Sequence, residues 1–222
     1  MVKRNAQARR GSGANGWACL LSILDLRNPS RPAILLVDSC AGSWGTFDET
    51  TGLCYGWLMH VAWSDTEEGV ENITVAKIWV SLSAGTGQYA ADYASKRLAD
   101  LPIRATNTGD NGDRFGLVWR RTYSAPVPDQ QLDIPITGAL VRRVSDDRVV
   151  AVTPSGLVLQ LSAGTGRLIT DPLSCSRLPE PPLCSALIAK REGEGSTSIV
   201  RWFVLILGSV TGRLLRISIL DP

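Results

Sequence analysis

Residues 139–170 read ALVRRVSDDRVVAVTPSGLVLQLSAGTGRLIT. Four short runs rich in Val, Leu and Ile (ALVRRV, RVVAVT, LVLQLS and RLIT) are separated by Ser145-Asp146-Asp147, Pro154-Ser155-Gly156 and Ala163-Gly164-Thr165-Gly166. Each separator has turn chemistry: glycine reaches positive φ without a Cβ penalty, proline fixes φ, and Asp and Ser hydrogen-bond their own backbone. Runs this short between such punctuators fit strands better than helices. The stretch therefore predicts a four-stranded antiparallel meander with Gly156 and Gly166 at reversals.

The same pattern extends outward. AILLVDS (33–39), ITVAKIWVSLS (73–83), GLVWRRTYS (116–124) and WFVLILG (202–208) are further apolar runs bounded by Gly, Ser, Asp or Pro. Only QYAADYASKRLADL (88–101) spaces its apolar residues as a helix would, which places one short helix in an otherwise all-β chain. The hexapeptide LSAGTG occurs at 82–87 and again at 161–166. That spacing is about 80 residues, or two periods of roughly 40, the length of one propeller blade. Thr51-Gly52 and Thr211-Gly212 extend the series at near-blade spacing. Gly85, Gly87, Gly164 and Gly166 are then expected in equivalent turns, with a positive-φ glycine in each copy.

HVAWSD (60–65) resembles the first strand of a WD-repeat blade, and VVAVTPSGLVLQLSAGTGRLI (149–169) resembles its other three strands. FDETTGLCYGW (47–57) resembles the Asp-x-x-Thr-Gly-x-x-x-x-Trp signature of quinoprotein-type propellers. The chain departs from both families: no Trp-Asp dipeptide closes a blade, no Gly-His pair precedes one, and the tryptophan does not recur after the other Thr-Gly pairs. The resemblance implies an all-β, β-propeller-like array of four-stranded antiparallel blades. Chain length sets about four to five blades, the low end for a ring. The ring closes if ACLLSILDL (18–26) pairs beside LLRISIL (214–220), and stays open, with an exposed strand edge, if it does not. The domain reading is a basic arm over 1–17 and one propeller-like domain over 18–222.

Composition narrows the function. A formal net charge of +2, from 23 basic and 21 acidic residues, is no overall footprint for nucleic acid. The five cysteines (Cys19, Cys40, Cys54, Cys175 and Cys184) form no Cys-x-x-Cys pair and there is one histidine, so zinc-ligand spacing is absent. Reduced thiols in cytoplasm or nucleus are the simplest expectation. The basic, acid-free start of the chain has the composition of a mitochondrial transit peptide as well as of a polar arm. No apolar run is long enough to span a membrane as a helix, so a soluble chain is expected. Asn72-Ile73-Thr74 fits a glycosylation acceptor but opens an apolar run.

No catalytic constellation emerges. His60 stands without a Gly-x-Ser-x-Gly elbow, and no phosphate- or dinucleotide-binding glycine motif is present. The acidic clusters Asp65-Glu67-Glu68 and Asp110-Asp113 lack calcium-loop spacing. No catalytic residue, metal ligand or cofactor is assigned. The seven tryptophans (Trp17, Trp44, Trp57, Trp63, Trp79, Trp119 and Trp202) are expected between blades or as contact anchors at a rim. Arg120-Arg121 and Arg142-Arg143 would form an anion site only if brought to one face. Residues 102–115 and the proline-rich 171–184 read as protruding loops. The leading reading is a non-enzymatic protein-interaction scaffold, a subunit of a larger complex whose partners are other protein chains. A quinoprotein-like or other propeller enzyme is the alternative, and a nucleic-acid-associated subunit of transcription machinery the third.

Overall fold

The computed structural model describes residues 19–23, 33–37, 41–64, 66–67, 69–81, 98, 103, 115–127, 138–169, 177–192, 199–208 and 211–219. The arm over 1–17, the first LSAGTG copy and all of the expected helix except Leu98 lie outside these residues.

Among the described residues all twelve strands pair antiparallel with their sheet neighbours, as the short Val- and Ile-rich runs predict. β1 (Cys19–Ile23) and β2 (Ala33–Val37) form a hairpin. β3 (Ala41–Asp48), β4 (Leu53–Trp63), β5 (Val70–Ser81) and β6 (Phe115–Pro126) form a four-stranded meander. β7 (Leu140–Arg143), β8 (Arg148–Val152) and β9 (Val158–Ser162) form a second, and β10 (Pro182–Glu192), β11 (Ile199–Gly208) and β12 (Leu214–Ile219) a third. No ladder joins one sheet to another among the described strands.

The three meanders stack face to face in chain order. Alternation along β4, β5 and β6 turns Trp57, Met59, Ile73, Val75 and Trp119 toward β7–β9, where they meet Val141, Val149, Ala151, Leu159 and Leu161. The opposite face of β7–β9 carries Val150, Val152 and Val158, which pack on Val204 and Ile206 of β11. Every residue of β8 is buried in consequence, and after Arg148 its sequence VVAV is apolar on both faces. The first strand of each meander also touches that of the next: β3 lies against β7 and β7 against β10, while β1 touches β3.

Four features of the sequence reading need correction. First, uniform four-stranded blades are not what forms. In the 139–170 unit the last run returns as one bridge, Leu161 to Leu168, with the Arg167 carbonyl accepting from Ser162 N at 2.7 Å and the Gln160 carbonyl accepting from Ile169 N at 2.9 Å. The run is followed by Asp171-Pro172, and proline cannot donate to a ladder. Second, β1 pairs along its whole length with β2 rather than with β12. A partner reachable through a short connection wins over one at the far end of the chain.

Third, the Thr-Gly pairs do not mark one position in a repeat. Thr51-Gly52 lies between β3 and β4, Thr165-Gly166 after β9, and Thr211-Gly212 between β11 and β12. What the first two share is a local device. In both, the Gly N–H donates to the carbonyl four residues back at 2.8 Å (Asp48, Ser162). The Thr N–H donates to that same residue's side chain at 3.4 Å. The recurrent position is instead the second turn of each meander, which holds Gly69, Gly156 or Gly212, all at positive φ. Fourth, the proline-rich segment is not a free protrusion over its described half. Arg177 bridges Leu157, Leu178 is buried in the apolar cluster behind β8, and β10 starts at Pro182.

Candidate functional site

The least expected chemistry is a carboxylate inside the protein. On β5 the residues facing β7–β9 run Glu71, Ile73, Val75, Lys77 and Trp79, so Glu71 stands on an apolar face and is 3% exposed. Ser155 Oγ and, at 3.4 Å, Thr153 Oγ1 donate to its Oε1, and the two hydroxyls lie 2.8 Å apart. Thr153 Oγ1 also accepts from Leu157 N at 3.0 Å, which fixes the β8–β9 turn. Arg177 Nη1 donates to the Ser155 carbonyl and hydroxyl at 3.3 Å, and its Nη2 to the Pro126 carbonyl at 2.6 Å. The cluster thus ties one end of the β5–β6 ladder, through the start of β5 and the end of β6, to the second turn of the next sheet.

A second carboxylate is held within the third sheet. Glu180, 8% exposed and just before β10, accepts from Thr211 N at 2.8 Å and from Thr211 Oγ1, in the β11–β12 turn. The Thr153 and Ser155 hydroxyls are spent on holding a carboxylate in a dry interface, so the Glu71 cluster presents no nucleophile to solvent.

Burial pushes the Glu71 carboxyl above its ordinary value near 4.5, a rise partly offset by the Ser155 hydroxyl, the Arg177 charge and the Thr153 hydroxyl. The folded state then binds this proton more tightly than the unfolded chain does. The group's contribution to stability is full below the unfolded value and falls as pH rises through the folded one. Urea midpoints across pH 4 to 8 should decline less steeply for Glu71→Gln than for the wild type, because glutamine keeps an acceptor for both hydroxyls without the ionisation. Parallel profiles would remove Glu71 as the source.

The residues singled out from the sequence are scattered. His60 sits half-buried on β4. Arg120 donates to the Leu98 carbonyl at 3.2 Å and Arg121 to the Thr165 carbonyl at 3.2 Å. Arg143 donates to the Ser145 carbonyl at 2.8 Å and pairs with Asp146, while Arg142 is exposed on the other face of β7. The arginine pairs therefore make no common anion site. Trp57, the tryptophan of the quinoprotein-like signature, is buried over Gly45, with the Lys77 ammonium 5.9 Å from its ring. Trp119 donates from Nε1 to the Ala163 carbonyl at 3.0 Å and packs on Gly166. Both rings act between sheets.

Asn72 accepts from Ser124 Oγ at 2.8 Å across the β5–β6 ladder, so the glycosylation tripeptide lies inside a sheet. Cys54 and Cys184 carry free thiols. Among the described residues no group of His, Cys, Asp and Glu could hold a metal, and no helix is long and apolar enough to cross a membrane.

What remains open is the last sheet. Alternation and register place Ala186, Ile188 and Lys190 of β10, Arg201, Phe203, Leu205 and Leu207 of β11, and Leu214, Arg216 and Ser218 of β12 on the face turned away from β8. Ile188 is 41% and Leu214 64% exposed. The Arg216 guanidinium stacks 4.7 Å from the Phe203 ring centroid. β12 ends its sheet, and no described strand pairs with its outer edge. This surface was foreseen only as an edge; its face becomes visible once the register is known. The chain matches no family model and no curated protein.

Proposed function

We propose that this chain is a propeller-like, non-enzymatic interaction scaffold that binds another polypeptide through its last sheet. The observation that carries the reading is the outer face of β10–β11–β12: aliphatic side chains exposed on a rigid sheet whose edge strand is unpaired among the described residues. The propeller-like part is supported by meanders stacked in chain order, by their neighbouring first strands, and by a glycine at positive φ in the second turn of each. An unpaired edge beside an apolar face is the surface to which another chain can add a strand. Free thiols at Cys54 and Cys184 accord with a reducing compartment, cytoplasm or nucleus.

A photoreactive residue at position 188 tests this. In cells, the full chain carrying it there should crosslink to a discrete polypeptide, whereas the same residue at position 146, on the exposed β7–β8 turn, should not. Equal labelling from both positions, or none from 188, overturns the scaffold reading. A stoichiometric chromophore in the purified protein would favour the quinoprotein-like enzyme instead.

A further inference from the structure

A row of donors crosses the interface between the first two meanders. Ser43, Trp57, Lys77 and Trp119 stand opposite one another in register on β3, β4, β5 and β6. Trp57 and Trp119 belong to the cluster that packs on β7–β9, so the row faces that sheet. Arg143, two residues beyond Val141 on β7, turns toward it from the other side.

Trp119 spends its indole N–H on the Ala163 carbonyl, but Trp57 Nε1, on a ring 1% exposed, bonds no acceptor, and the buried Ser43 Oγ bonds nothing either. Buried donors are ordinarily met, by protein or by something from outside it. The Lys77 ammonium lies 4.9 Å from the Tyr55 ring centroid and 5.9 Å from that of Trp57, and no carboxylate among the described residues bonds it. Burial and the Arg143 charge both hold its pKa below the ordinary amine value. Arg143 gives Nε to the Ser145 carbonyl at 2.8 Å and Nη2 to Asp146, a fully exposed carboxylate, which leaves Nη1.

Ammonium, guanidinium and indole N–H donate and cannot accept; only the Ser43 hydroxyl can do both. A metal cation therefore has no ligand set here, and an apolar ligand would bury the ammonium without compensation. Water meets the indole and the hydroxyl but brings no charge to the two cations. The enclosed donors favour a small ion over a side chain tethered to a bulky partner.

We infer that Ser43, Trp57, Lys77 and Arg143 bind a small oxyanion, a carboxylate or inorganic phosphate, between the first two meanders. Lys77 and Arg143 supply the charge, Trp57 and Ser43 the buried donors, and the Tyr55 ring a wall beside the ammonium. The site lies apart from the outer face of β10–β12 and does not depend on the scaffold reading.

The test uses the full chain with isotope-labelled indole nitrogens at its seven tryptophans, the Trp57 resonance being the one lost in Trp57→Phe. Sodium phosphate and sodium acetate are titrated at an ionic strength held constant with sodium chloride. At least one should shift the Trp57 indole resonance saturably, and calorimetry should return the same Kd; the tighter of the two tells phosphate from carboxylate. Lys77→Met, which keeps an unbranched side chain over the rings, should weaken binding at least about tenfold and keep the wild-type melt. Arg143→Gln should weaken binding too, whereas Arg142→Gln, on the other face of β7, should not.

No saturable shift and no heat from either anion overturns the site, as does unchanged binding in Lys77→Met. If Lys77→Met does not fold, equal binding by Arg143→Gln and Arg142→Gln overturns it instead. A long-lived water at the Trp57 indole N–H that neither anion displaces assigns the row to water and overturns the oxyanion.

Discussion

Gly166→Ala should destabilise the protein by about 3 kcal/mol, while Gly164→Ala, two residues away in the same turn, should change stability by less than about 0.5 kcal/mol. Gly166 has φ +71°, where an L side chain costs about 1 kcal/mol or more. Its added Cβ would stand 2.5 Å from Trp119 Cε3 and 2.9 Å from Arg121 Cγ. The indole cannot withdraw easily, because it is buried and its Nε1 donates to the Ala163 carbonyl. At Gly164 the nearest atom to a new Cβ is 4.0 Å away and φ is not left-handed. Trp119→Ala alone should cost about 4 kcal/mol as a core truncation. The double variant Gly166→Ala, Trp119→Ala should fall well short of the sum, because one partner of the clash is gone. Urea unfolding of the four proteins measures all of this. Equal losses at 164 and 166 would mean that the hexapeptide turn works in some other way.

Gly138→Ala should be equally damaging for a different reason. Its φ suits any residue, but an added Cβ would run into the Pro182 carbonyl, reaching 2.5 Å from its carbon. Gly138 leads into β7 and Pro182 opens β10, and Ser185 Oγ donates to the Gly138 carbonyl at 2.6 Å. Backbone meets backbone here, so neither side can rotate away, and a loss of about 3 kcal/mol is expected. The damage should be local as well as global: amide exchange should accelerate most in β10–β12 and least in β3–β6. Uniform acceleration across all sheets would show that the contact does not hold the third sheet in place.

Turn chemistry made the second meander readable before any coordinates. Pro154-Ser155-Gly156 and Ala163-Gly164-Thr165-Gly166 reverse the chain where glycine, proline and hydroxyl side chains predict, and Gly156 and Gly166 both take positive φ. The error lay in treating Thr-Gly as a period marker. Asp48-x-x-Thr51-Gly52 and Ser162-x-x-Thr165-Gly166 build the same hydrogen bonds at different places in their meanders, because local geometry recurs wherever a chain reverses.

Glu71 was missed because a charged residue in a strand is ordinarily read as solvent-facing, and Glu180 because it lies in a proline-rich segment that reads as an exposed loop. Glu71 did leave a signal: it shares a period-two face with Ile73, Val75 and Trp79, and a carboxylate on an apolar face calls for a buried donor. Its donors, Thr153 and Ser155, lie 82 and 84 residues away, beyond anything a local pattern can connect. The outer face of the last sheet was hidden for a related reason. WFVLILG is apolar at every position before its glycine, so its two faces read alike whether a neighbour covers one of them or not.

Stacking in chain order also bears on how the protein is made. Each meander draws its ladder hydrogen bonds from strands adjacent in sequence, so pairing can begin as soon as a turn leaves the ribosome. Burial lags behind pairing. When β7–β9 emerges, one face can settle at once on the finished β3–β6 sheet, but Val150, Val152 and Val158 stay wet until β11 is synthesised. A nascent chain paused between β9 and β11 therefore exposes an aliphatic sheet face, and that interval is when a chaperone would be needed most.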